Sequence, residues 1–135
     1  MKTQNLFLVL ITVLILTSCN KTQQEKKTSI NYDQELFDFG ILSNEIDSVY
    51  AYVTYNNDGA NDLVISNIES SCNCTAPIWN SNPLTKNDKD SILVVIKPTK
   101  RGKFFSSIMI HSNAENSPNE IRFKGEIDYL DLLDD

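Results

Sequence analysis

The chain has 135 residues, 41% hydrophobic and 22% charged, enough apolar material for one small domain with a core. That balance excludes a polytopic membrane protein and a wholly disordered chain. With 18 Asp and Glu against 12 Lys and Arg, a formal net charge of −6, the surface lacks the cations that phosphate contacts demand, and nucleic acid is excluded as a partner.

Residues 1–18 read as an address removed from the mature protein. Lys2 supplies a positive n-region, residues 6–16 form an apolar run broken by Thr12, and Thr17-Ser18 places small residues before Cys19. Such a run makes about 16 Å of helix, roughly half the hydrocarbon core, which argues against a permanent transmembrane span. Leu16-Thr17-Ser18-Cys19 resembles the bacterial lipobox. That resemblance implies that Cys19 receives a diacylglycerol, becomes the new N-terminus and pins the protein to a membrane. Residues 19–33 are then the lipidated N-terminus and a flexible tether. Its polar stretch 20–33, with Ile30 and Tyr32 as the large apolar side chains, would reach roughly 20 Å. No acidic pair follows Cys19; such pairs resemble surface-export tags, so the expected location is the bacterial envelope, on the outer membrane and facing the periplasm.

Residues 34–127 read as short strands. Phe37-Asp38-Phe39-Gly40 alternates and stops at a glycine. Residues 49–55 (VYAYVTY) put Val49, Ala51, Val53 and Tyr55 on one face before the turn signal Asn56-Asn57-Asp58-Gly59, and 63–68 (LVISNI) reads as the returning strand of a hairpin. The segment 70–90, rich in Ser, Asn, Pro and Asp, reads mostly as loop. Ile92, Val94 and Ile96 alternate up to Lys97-Pro98; Phe104, Ser106, Ile108 and Ile110 follow on one side of the next strand; Ile121, Phe123 and Ile127 close the domain. No stretch keeps a helical period long enough for a helix. The predicted fold is all-β, an immunoglobulin-like antiparallel β-sandwich of about seven strands. The acidic tail 128–135 (DYLDLLDD) reads as frayed or lying along an edge.

If every connection reverses the chain, the strand from Val49 runs up and that from Leu63 runs down, delivering Cys72 and Cys74 to the bottom. The same counting sends His111 to the bottom and puts Asn57-Asp58-Gly59 and the basic turn 97–103 at the top.

The order of Phe37-Asp38-Phe39-Gly40, Asn57-Asp58-Gly59, Leu63-Val64-Ile65, Ser71-Cys72-Asn73-Cys74-Thr75, Gly102-Lys103-Phe104, Ser112-Asn113 and Lys124-Gly125-Glu126 resembles the bacterial domain-of-unknown-function 1573 family. The resemblance covers residues 37–127. It implies a secreted or lipid-anchored protein with an immunoglobulin-like sandwich akin to chaperone and flagellar-type modules, and no established activity. Asn73 replaces the family's usual glycine, and Lys86-Asn87 its usual Pro-Gly turn; asparagine can take positive φ at modest cost, so the backbone is expected to survive both changes.

Cys72 and Cys74 carry the most distinctive chemistry. On an extended strand their Cα atoms would lie about 6.6–7 Å apart, at or past the limit for a bond, so a disulfide requires a turn at Asn73. The ring would be tiny, would stabilise little, and would be open to reduction. The pair reads as a turn-fixing disulfide or packed thiols, as a chelate for Cu(I) or Zn with His111 as third ligand, or as a redox pair, the last without the helix N-terminus that usually lowers a thiol pKa. Asn73, Thr75 and Trp79 form a candidate binding loop, with Trp79 either a ligand platform or a cap on the open bottom. Lys97, Lys100, Arg101 and Lys103 read as a solvated hairpin tip, with a phosphate or lipid-headgroup contact as the alternative.

Enzymatic readings find no support: there is no Gly-x-Ser-x-Gly, no His-Glu-x-x-His, no phosphate loop, and one histidine for any triad. The expected protein is a non-catalytic envelope module without a cofactor, held at the membrane through Cys19 and binding a protein partner through a sheet edge or the loop 72–79. The alternative is a Cu- or Zn-binding or thiol-redox accessory protein built on Cys72, Cys74 and His111.

Overall fold

The computed structural model describes residues 28–128. The expected signal peptide, Cys19, most of the tether and nearly all of the acidic tail lie outside the described residues. Among the described residues eight strands follow one another: β1 (Ile30–Tyr32), β2 (Leu36–Leu42), β3 (Val49–Asn57), β4 (Ile65–Ser70), β5 (Thr75–Ile78), β6 (Lys89–Ile96), β7 (Gly102–Ser112) and β8 (Asn119–Ile127). They form two four-stranded sheets, ordered β1-β3-β6-β5 and β2-β8-β7-β4. The alternation read from the sequence builds the space between them. Val53, Ile92 and Val94 project from the first sheet and Ile108, Ile110, Ile121 and Phe123 from the second, all at most 1% exposed. Most of these are β-branched, which suits a pleated surface packed on one side.

Several expectations are corrected. The strands around Asn57-Asp58-Gly59 are not a hairpin: β3 pairs with β6, and β4 crosses to the other sheet to pair with β7. The reason is local, because Asn57 is fully buried and uses its side chain to stitch loops together. Its Nδ2 donates to the Asn61 and Leu84 carbonyls at 2.7 and 2.9 Å, and its Oδ1 accepts from the Gly59 N–H at 2.9 Å. Gly59 is also where residues 28–29 cross: a Cβ there would sit 2.4 Å from the Ser29 nitrogen.

The stretch read as tether up to Asp33 contains β1, which pairs with β3 from Ile30↔Asn57 to Tyr32↔Tyr55. One pair is parallel rather than antiparallel, β2 beside β8, with a bulge between Asp38 and Ile41 where Gly40 takes φ 64°. Of the two asparagines replacing glycines, Asn87 adopts φ 66° and Asn73 does not take positive φ.

The segment read mostly as loop also holds β5, paired with β6 from Thr75↔Ile96 to Ile78↔Leu93. Its four residues include Pro77, which hid it from a pattern search. This extra pass reverses every direction after it. β6 runs down against β3 and β7 runs up against β4, so the basic turn 97–103 joins the cysteines at the bottom. His111 sits opposite Asn67 in the upper half.

Candidate functional site

The lower end of the sandwich is built around a Cys72–Cys74 disulfide whose Cα atoms lie 5.2 Å apart, inside bonding range because the chain turns at Asn73. Backbone bonds pin this turn on both flanks. Ser71 donates its N–H to the Ser107 carbonyl at 2.9 Å, Thr75 donates to the Cys72 carbonyl at 3.3 Å, and Lys97 donates to the Cys74 carbonyl at 2.8 Å. Ser71 Oγ accepts a further bond from the Ser107 N–H at 2.9 Å.

Two hydroxyls lie beneath the sulfurs. Thr75 and Ser106 are both buried, and their oxygens are 2.5 Å apart. Thr75 Oγ1 is 3.4 Å from Cys72 Sγ and 3.8 Å from Cys74 Sγ, and Ser106 Oγ is 3.9 Å from Cys72 Sγ. Thr75, expected as part of a binding loop, is therefore the floor under the disulfide, while Asn73 is exposed at its tip. In the sequence Ser106 reads only as one residue on one side of its strand, since a serine amid Phe104, Ile108 and Ile110 carries no signal of a sulfur neighbour.

Trp79 does not cap the bottom; it follows Ile78, which pairs with Leu93 in the middle of β6, and packs half-buried against the core. Nor does His111 reach the cysteines. It lies five positions along β7 from Ser106, roughly 17 Å at strand rise, and its Nε2 sits 3.4 Å from Glu69 Oε1. The proposed three-ligand chelate is not assembled, and among the described residues no group of three or more His, Cys, Asp or Glu gathers to hold a metal. Lys97, Lys100, Arg101 and Lys103 are exposed at the disulfide end.

A second feature went unread in the sequence. The outer face of the β1-β3-β6-β5 sheet carries two cross-strand rows, Tyr50–Val95–Ala76 and Tyr52–Leu93–Ile78. Tyr50, Tyr52 and Ile78 are 60%, 64% and 59% exposed, so these six side chains form an apolar strip facing solvent. The sign was present in 49–55 and 92–96, where positions on both faces of each strand are apolar. The edges flanking this face are blunted. Pro77 offers no N–H on β5, the Thr75 N–H is taken by Cys72, and Asn116 clasps both backbone groups of Ile30 on β1. The opposite sheet also exposes apolar side chains, Ile41 and Phe105 at 73% each, and they line a cleft of about 270 Å³ together with the charged Asp38, Lys103 and Lys124. There the Gly40 N–H and then Lys124, 3.0 Å away, hold the Asp38 carboxyl below the usual carboxylate range.

Residues 30–127 match the family model described as "Protein of unknown function (DUF1573)". The chain belongs to this family. No match was found among curated proteins. Among solved structures, the chain is similar to a protein of unknown function from Porphyromonas gingivalis W83, with TM-score 0.66 and 14% identity over 76% of this chain and 48% of that one. The PapD-like domain 7 of human CEP192 is similar at TM-score 0.58 and 10% identity, covering 76% of this chain and 86% of that domain. The VesB protease of Vibrio cholerae is similar at TM-score 0.55 and 16% identity over 73% of this chain and 32% of that protein. This chain thus spans about half of the Porphyromonas protein and a third of the protease. At such identities the likeness shows the fold, an immunoglobulin- and PapD-like sandwich, and this DUF1573 domain shares it.

Proposed function

We propose that this DUF1573 protein is a lipid-anchored envelope protein whose sandwich is a non-catalytic module that docks a protein partner on the outer face of the β1-β3-β6-β5 sheet. The observation that carries the reading is the double row Tyr50–Val95–Ala76 and Tyr52–Leu93–Ile78. Folding leaves it exposed although β3 and β6 bury Val49, Ala51, Val53, Ile92, Val94 and Ile96 on their other face. Val95 and Leu93 on the middle strand, tyrosines beside them and a polar border of Thr54 and Ser91 match the anatomy of a protein interface, an apolar middle beside a wettable rim. The blunted edges favour side-chain packing on this face over addition of a partner strand. The lipid anchor is supported by the order of n-region, apolar run and Cys19.

Placing a photo-crosslinking residue at Tyr52 should give an adduct of one defined mass in native envelopes, and the same probe at Glu120, on the opposite sheet, should not. Loss of the Tyr52 adduct on adding Leu93→Glu supports the face; equal labelling from both positions overturns it. An adduct of twice the chain mass would identify the partner as a second copy. For the anchor, Cys19→Ala should leave the protein outside the detergent phase, and continued partitioning into detergent would refute the lipid.

A further inference from the structure

We propose that the Cys72–Cys74 disulfide is a reversible two-electron redox site, reduced by a dithiol partner while the fold stays intact. The inference is independent of the docking face. A disulfide that serves as a staple removes conformational freedom from the unfolded chain in proportion to the loop that it closes, and this one spans a sequence separation of 2. The loop does not need it. The Ser71, Thr75 and Lys97 backbone bonds, with Ser71 Oγ to Ser107, fix the turn whether the sulfurs are joined or not. Opening the bond therefore leaves two thiols held close, ready to close again.

The surroundings also favour the reduced form. A thiolate is a far stronger acceptor than a disulfide sulfur, and the buried Thr75–Ser106 pair lies 3.4 and 3.9 Å from Cys72 Sγ, placed to donate to charge that develops there. The exposed cations of the turn 97–103 stand at the same end and favour the anion as well. Ser106 approaches Cys72 and not Cys74, which assigns the roles. A thiolate of the partner dithiol attacks Cys74 Sγ; the Cys72–Cys74 bond breaks, and its electron pair leaves on Cys72 Sγ. The partner's second thiolate then attacks its own sulfur in the mixed disulfide and releases Cys74. The partner departs as a disulfide, two electrons have passed to this protein, and the partner's two thiol protons are balanced by those taken up on Cys72 and Cys74.

The test uses the full chain carrying Cys19→Ala, so that Cys72 and Cys74 are its two remaining cysteines. Dithiothreitol without denaturant should release two thiols per chain while the β-sheet circular dichroism persists; thiols released only on unfolding overturn the proposal. Glutathione added to the oxidised protein should be found by tandem mass spectrometry on Cys74, and an adduct on Cys72 overturns the assigned order. With Cys74→Ser added, Ser106→Ala should lower the Cys72 thiolate fraction, read at 240 nm across pH, by about tenfold, the scale of one hydrogen bond to a charge. An unmoved titration overturns the hydroxyl pair's role. Should the Ser-bearing chain misfold, the native thiol count and the adduct map decide alone.

Discussion

The side-chain amide of Asn116 closes on the backbone of Ile30 across 86 residues, donating from Nδ2 to the Ile30 carbonyl at 2.8 Å and accepting the Ile30 N–H on Oδ1 at 3.3 Å. One side chain thus stands in for a neighbouring strand. It satisfies the open side of β1, which is three residues long and pairs with β3 on its other side. Asn116→Ala should cost about 1–3 kcal/mol, because it strands a backbone donor and acceptor beside a buried residue. Urea unfolding checks the loss, and light scattering should show faster self-association, since the clasp that blunts this edge has gone.

Asn57 is more deeply placed. Removing its amide takes a donor from the Asn61 carbonyl and the acceptor from the Gly59 N–H, and leaves the Leu84 carbonyl with the Leu63 N–H. Asn57→Ala should therefore destabilise by about 3 kcal/mol, and Asn57→Asp, which keeps the acceptor but loses both donors, should recover little. Thermal melting of both variants tests this.

Adjacent positions on β6 should answer very differently to truncation. Ile92 is fully buried between the sheets, whereas Leu93 faces outward beside Tyr52. Ile92→Ala should cost about 2–5 kcal/mol, and Leu93→Ala under about 1 kcal/mol, the worth of a cross-strand contact. Equal losses in denaturant titrations would show that the outer rows are packed.

Tyr55 predicts an alkaline limit to stability. Burial first, and then the nearby Asp90 carboxylate, push its phenol up to about 12 from 10.0. The folded state holds that proton longer than the unfolded chain does, so the stabilisation is complete below pH 10 and is lost as pH rises towards 12. Tyr32 shifts in the same direction, chiefly by burial. Tyrosinate absorbance at 295 nm should show a late-titrating component that Tyr55→Phe reduces, and Tyr55→Phe should flatten the fall in stability above pH 10.

The core could be read from the sequence because alternation is a strong signal where one face is dry: Val49, Ala51 and Val53 on β3 and Ile108 and Ile110 on β7 are buried as the pattern requires. What could not be read is which strand neighbours which. Asn57-Asp58-Gly59 has the composition of a tight hairpin, but the buried Asn57 amide turns it into a crossing between sheets. β5 escaped because Pro77 and two asparagines nearby mask a strand of four residues, and that omission inverted the end at which His111 and the basic turn were placed. Bond reach tied a turn at Asn73 to the disulfide reading of the pair, whereas the hydroxyl of Ser106 beneath it needed the fold, since 34 positions separate it from Cys72.

On the proposed lipid anchor, the place where residue 28 enters the sandwich would orient the domain. Residues 28–29 cross Gly59, at the end of β3 opposite Val49, and the nine residues of that strand measure roughly 30 Å. A tether attached upstream of Thr28 would keep the Gly59 pole nearest the lipid. The sulfur-bearing pole would then point into the aqueous space, where soluble proteins could meet it without touching the bilayer.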